Sequence, residues 1–271
     1  MSKDPSLKHA VLYFRGLNTQ GDEQLRFGRL ALGPMHGPWL EQLHKRHVTA
    51  LPVPGRGGGP LQEQIEKAVE SIRRLPLWQS PETRFHFLAH STGGLVARAA
   101  VHHLRQPSRI LSVVTLAAPH QGSWLAELIP SVPERRPRLN RLLQLIDYRI
   151  EKKLAAFADL TPMQAKQFNS LYPDVPGIRY GSAIFAIPEK KLSWPVRFAK
   201  RIVDTSEAPM SDGIVALDAQ NWGEVFFKGQ LDHMNQIGYN FRLLPHERLK
   251  TNQEFLRLVD KVVDFMHQSE S

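Results

Sequence analysis

The chain has 271 residues, no cysteine and a formal net charge of +9. That length suits one large domain, or one domain carrying an insertion, and a core of this size needs neither disulfides nor metals to hold it. Without cysteine there is no disulfide framework, no thiolate metal site and no cysteine nucleophile. The positive charge bears on attraction to anionic surfaces rather than on fold or chemistry.

The first apolar run, Ala10 to Phe14, is too short for the apolar core of a secretory signal and reads as a strand. No later stretch is long enough to cross a bilayer, so a soluble, cytoplasmic protein is the expectation. Further short β-branched or aromatic runs lie at His47 to Val53, Arg84 to Ala89, Leu111 to Leu116, Ile178 to Phe185 and Val225 to Lys228. Helical patterns begin after Pro60, after Ser91 and near Thr251. Thr251 with Glu254 reads as a capping box, followed by Phe255, Leu258, Val259, Val262, Val263 and Met266 at helical spacing. Strands alternating with helices predict an α/β fold whose sheet is mostly parallel, with crossover helices on its faces. The glycine run from Gly55 to Gly59 lacks the Lys-Ser/Thr ending of a phosphate loop and is read as a strand-to-helix turn.

From Gly122 to about Leu171 the alternation breaks. Leu139, Leu142, Leu143, Ile146, Ile150 and Leu154 share one helical face, and Arg138, Arg141, Arg149, Lys152 and Lys153 lie largely elsewhere. We read residues 123–171 as a helical cap inserted into a single domain spanning 1–271, because the segment is too short to hold much core of its own. A helix of this kind can cover an acyl pocket in water and rest on an anionic membrane surface when displaced.

Residues 85–98 read Phe-His-Phe-Leu-Ala-His-Ser-Thr-Gly-Gly-Leu-Val-Ala-Arg. An apolar strand runs into Ser91 and a helical pattern follows at once, which is the context of a nucleophile elbow. Such a turn needs small residues two before and two after the serine, and Ala89 and Gly93 stand there; Gly94 lets the helix pack close to the strand. A serine hydroxyl needs a base to take its proton. In an elbow-bearing fold the acid and then the histidine follow in the chain. Asp212, in Ser-Asp-Gly-Ile-Val, and His233, in Leu-Asp-His-Met-Asn-Gln, fill those places. Asp204, Asp218 and Asp232 are competing acids, and His246 is the rival base. His90 and His120 precede every candidate acid and suit packing roles. The oxyanion hole needs two backbone donors: the amide of Thr92, and one from the loop after the first strand, Phe14-Arg15-Gly16-Leu17-Asn18, where Leu17 is the natural donor.

These residues resemble the bacterial triacylglycerol lipase and esterase family of the α/β-hydrolase fold. The Ala-His-Ser-Thr-Gly-Gly elbow is similar to the Ala-His-Ser-x-Gly form of Bacillus-type lipases. Thr115 to Ser123 is similar to their Thr-Pro-His-x-Gly-Ser segment, Ser211 to Val215 to their acid loop, and Asp232 to Gln236 to their histidine loop. Leu160 to Tyr180 resembles the stretch leading out of their lid. The resemblance implies a lipase or esterase acting on ester or lipid substrates, with Ser91, Asp212 and His233 as triad and Leu17 and Thr92 as oxyanion donors. The same triad also serves phospholipases, thioesterases and acyltransferases, and a silent hydrolase fold can act as a membrane- or partner-binding module. Two departures stand out. Arg15-Gly16 replaces the family's usual His-Gly, and Asn235 and Gln236 stand where many members carry a calcium-binding aspartate. The second departure implies no metal; the triad needs no cofactor, and no nucleic-acid partner is expected, while the sequence leaves the oligomeric state open.

Overall fold

The computed structural model describes residues 8–16, 24–27, 30–54, 59–123, 126–127, 158–203 and 210–270. The central sheet is built from β1 (Lys8–Phe14), β4 (Ala50–Pro52), β5 (Thr83–His90), β6 (Ile110–Leu116), β7 (Arg179–Phe185) and β8 (Glu224–Gly229). Their order is β4-β1-β5-β6-β7-β8, and every neighbouring pair is parallel. A parallel sheet is covered on both faces, so its strands read as near-continuous apolar runs. The period of two then sorts β1: Ala10, Leu12 and Phe14 enter one core, while Val11 and Tyr13 enter the other.

The first core is closed by α2 (Leu61–Arg73) and α4 (Gly93–Leu104). The second is closed by α1 (Gly37–Lys45) and the long C-terminal α7 (Pro245–Gln268). Short helices α3 (Pro76–Gln79), α5 (Pro162–Leu171) and α6 (Trp194–Val203) complete the named set. α5 is the last part of the 123–171 segment expected to be a cap. It is pinned to α4 by the buried Arg98, whose guanidinium donates to Asn169 Oδ1 at 2.8 Å and to the Tyr172 carbonyl at 2.9 Å and lies 3.4 Å from the Trp222 ring centroid. Of the expected cap itself, 124–125 and 128–157 lie outside the described residues. Among the described residues no helix is long and apolar enough to cross a membrane.

Three local expectations are corrected. The strand expected from His47 starts only at Ala50, because His47 is left-handed (φ 60°) and turns the chain out of α1. The capping box at Thr251 does not exist. α7 begins at Pro245, whose fixed φ suits the first helical position, and Thr251 sits well inside the helix while Glu254 pairs with Arg257. A two-stranded antiparallel ribbon, β2 (Gln24–Phe27) with β3 (Leu30–Pro34), occupies a stretch for which no element was expected.

The approach of α4 to the sheet rests on Gly94. A Cβ there would lie 2.4 Å from Ala118 Cβ and 3.1 Å from Thr115 Cγ2. Gly94→Ala therefore forces α4 away from β6. We expect a loss on the order of 1–3 kcal/mol, read by calorimetry as a fall in Tm of about 3–10 °C.

Candidate active site

Ser91 follows directly on the C-terminal end of β5 and holds φ 55°, a left-handed conformation that a non-glycine residue adopts only at a cost. The turn is held by the Ser91 amide, which donates to the Leu116 carbonyl at 2.9 Å, and by the Gly94 amide, which donates to the Ser91 carbonyl at 2.9 Å. Two glycines let a second backbone press against it. A Cβ on Gly93 would lie 2.5 Å from the Arg15 carbonyl oxygen, and one on Gly16 would lie 2.8 Å from Ser91 Cβ and 3.3 Å from its Oγ. The loop after β1 thus passes directly over the serine. Leu17 lies outside the described residues, while Thr92 is the N-cap of α4, a position whose amide has no partner within the helix.

Asp212 and His233 come from the loops after β7 and β8, at the same end of the sheet. Asp212 is fully buried and its carboxylate is completely engaged. Oδ1 accepts the amides of Ile214 (2.9 Å) and Val215 (2.8 Å), a tight turn allowed by Gly213 at φ 99°. Oδ2 accepts His233 Nδ1–H at 2.7 Å and Gln236 Nε2–H at 2.8 Å. Burial alone would push this carboxyl up. The His233 imidazole and the donors from Val215 and Gln236 outweigh it and hold the group below its ordinary value. The His233 amide also donates to the Asp212 carbonyl at 3.1 Å, so the two loops are joined by backbone as well as by side chain. With Nδ1 committed to Asp212, Nε2 is the nitrogen left for chemistry.

The competing residues are placed elsewhere. Asp218 is exposed, Asp232 is buried as a loop organiser, and Asp204 lies outside the described residues. His246 is exposed in the first turn of α7. His120 is buried against Thr115 Oγ1 (3.0 Å) and Arg98 (3.3 Å).

Sequence reasoning missed Gln236 as a member of this site. Its Nε2 donates to Asp212 and its Oε1 accepts His90 Nε2–H at 3.2 Å, while its carbonyl accepts Trp39 Nε1–H at 2.8 Å. His90 packs at a tilt with its ring centroid 4.5 Å from that of His233 and is held neutral, chiefly by burial and then by His233, with its pKa lowered to about 3. The signal was present: Gln236 stands one short helical turn after His233, on Asn235–Ile237.

The loop after His233 does not suit a calcium ion. Asp232 Oδ1 accepts the amides of Met234 and Asn235, and Oδ2 accepts the Ser193 amide. The Arg242 guanidinium lies 3.7 Å from Asp232 Oδ2 and 3.3 Å from Asn235 Oδ1, so a cation of the protein's own already faces these oxygens.

The sheet, the strained serine after β5 and the acid and histidine loops after β7 and β8 define an α/β-hydrolase. The chain is lipase- and esterase-like. The Palmitoyl protein thioesterase family model matches residues 57–161, which contain the elbow. Triacylglycerol lipase 2 of Saccharomyces cerevisiae is 28% identical over 209 residues, 72% of this chain and 59% of that protein. The chain thus spans well under two thirds of that relative's length, and the resemblance reaches beyond bacterial proteins. The Staphylococcus hyicus lipase structure superposes with a TM-score of 0.70 at 15% identity, over 100% of this chain and 98% of that one. A metagenomic carboxyl esterase does so with a TM-score of 0.66 at 16% identity, over 98% and 77%.

The neutral buried histidines give the fold an acid limit. The ordinary histidine pKa is about 6.5, and His90 titrates near 3 when folded. Between those values the unfolded chain binds a proton that the folded chain refuses, so stability present above about pH 6.5 is lost as the pH falls toward 3. His86 and His120 are lowered too, by burial first, and act with the same sign. Tm should decline steadily from pH 7 to pH 4, and His90→Gln should flatten the decline. An unchanged slope in that variant would remove His90 from the account.

Proposed function

We propose that this chain is a carboxylic-ester hydrolase that works through an acyl-enzyme on Ser91. The observation that carries the reading is the pair of buried Asp212 and partly exposed His233, 2.7 Å apart, at the same end of the sheet as a serine strained to φ 55°. Asp212 fixes the imidazole tautomer, and His233 Nε2 takes the Ser91 proton as Oγ attacks the ester carbonyl. The oxyanion is received by the Thr92 amide and, in this reading, by that of Leu17. The imidazolium gives its proton to the leaving alcohol; His233, neutral again, takes a proton from the water that attacks the acyl-enzyme and passes it to Ser91 Oγ as the acid leaves. The likenesses to a lipase and a carboxyl esterase support an ester or lipid substrate.

Ser91→Ala should abolish fluorophosphonate labelling and lower ester turnover on the order of 10⁴-fold or more, with an unchanged circular dichroism spectrum. His233→Ala should be comparably damaging, because the two residues act as a unit. Asp212→Asn should cost roughly 10⁴-fold by favouring the wrong tautomer. A folded Ser91→Ala protein with near-normal turnover overturns the mechanism. Running ester, thioester and phospholipid substrates side by side ranks the substrate classes.

The second part of the proposal is transient contact with anionic membranes. It is supported by the net charge of +9 and by the arginine-rich segment around Arg135, Arg136, Arg138 and Arg141. Binding to anionic but not neutral vesicles, weakened by salt and lost when these four become Gln, is the expected result. Turnover that follows monomer concentration alone, with no vesicle binding, refutes it.

A further inference from the structure

The opposite end of the sheet holds a second cluster of chemically capable side chains. His9 on β1, His86 on β5 and Glu270, two residues past the end of α7, bring three ligand atoms within 4.8 Å of one another. His9 Nδ1 lies 2.9 Å from Glu270 Oε1, and His86 Nε2 lies 3.5 Å from the same oxygen. A tetrahedral zinc ion with bonds of about 2.0–2.1 Å holds its ligand atoms about 3.3 Å apart. The two spacings bracket that value before any ion pulls the ligands into place.

The second observation is the state of His86. Its ring is 2% exposed, and its Nε2 is buried without a hydrogen-bond partner. Its Nδ1 lies 2.8 Å from Ser112 Oγ. If Nδ1 carries the proton and donates it to Ser112, the Nε2 lone pair points at a carboxylate, and two acceptors face each other. If Nε2 carries it instead, Glu270 lies too far away for a good hydrogen bond. Protonating both nitrogens would place a charge on a side chain that is only 2% exposed. A metal ion satisfies every partner at once: Nδ1–H donates to Ser112, and Nε2 and the carboxylate both give lone pairs to the ion. A hydrogen bond from the far ring nitrogen is the usual support for a metal-bound histidine.

We propose that His9, His86 and Glu270 bind a divalent transition-metal ion, zinc by the character of the donor set. The cluster lines a cleft of about 330 Å³ that also carries His47 and His267, leaving room for water as a fourth ligand. Its place on the fold gives it a structural role. His9 stands five residues before the catalytic end of β1 and His86 four before that of β5, about 16 and 13 Å away at the usual rise per residue. The ion clasps the end of α7 to the start of β1 and the middle of β5. The site does not depend on the hydrolase reading, and its test uses no turnover.

The full-length protein is stripped with a chelator, exchanged into chelator-free buffer and titrated calorimetrically with zinc chloride. One equivalent should bind. Tm should rise by about 5 °C or more at a hundredfold excess over Kd, and cobalt should give the visible absorption of a tetrahedral site. His9→Ala and Glu270→Gln change partly exposed side chains at the chain's edges. Each should keep the wild-type circular dichroism and Ser91 labelling while weakening zinc binding at least tenfold and losing the rise in Tm. Absence of binding by the stripped wild type at micromolar zinc overturns the proposal. So does undiminished binding in both variants, which would place the ion on other histidines.

Discussion

Three backbones converge within van der Waals contact at Ser91, and the candidate site depends on that convergence. β5 delivers the serine, α4 leaves from it, and the loop after β1 crosses over it. Gly93 meets the Arg15 and Phe14 carbonyls, Gly16 meets Ser91 itself, and Gly94 meets β6 and the residues beyond it. A side chain at any of the three would separate elements whose closeness keeps Ser91 left-handed. The strain there is upheld by two backbone hydrogen bonds and by the packing of α4, whose residues from Gly93 to Val101 are all buried. A residue held at φ above zero without such support would relax.

The acid and the histidine reach the same place by a different device. Neither sits on a strand, so each needs its loop fixed. Asp212 turns its own loop by accepting two of its amides, and Asp232 does the same for the loop of His233. Gln236 then ties the pair to His90, the residue before the serine. An amide is suited to that task because it offers a donor to the carboxylate and an acceptor to the imidazole without adding charge. A carboxylate at this position would set two negative groups against each other in a buried space.

Much of this was legible in the sequence because it is local. The elbow is a strand, a turn and a helix in consecutive residues, with small side chains at fixed offsets. The Asp-Gly turn at 212–213 is written in two letters. The strands were legible because burial on both faces makes them apolar throughout. What escaped was either ambiguous or non-local. Thr251 and Glu254 have the spacing of a capping box, but Pro245 starts the helix earlier and the same residues fall on its interior. Gln236 lay in plain view yet gains its meaning only from partners at 90 and 212. His9, His86 and Glu270 are separated by 77 and 184 positions in the chain, and only the parallel register of β1 with β5, together with the return of α7, assembles them.

Arg242, whose guanidinium faces Asp232 and Asn235, has a consequence of a different kind. A free ion that braces a loop leaves when its concentration falls below its dissociation constant. A guanidinium attached to the same polypeptide cannot be diluted away, since its effective concentration is set by the length of chain that carries it. The histidine loop is therefore braced to the same degree wherever the protein is found, whatever the supply of free calcium around it.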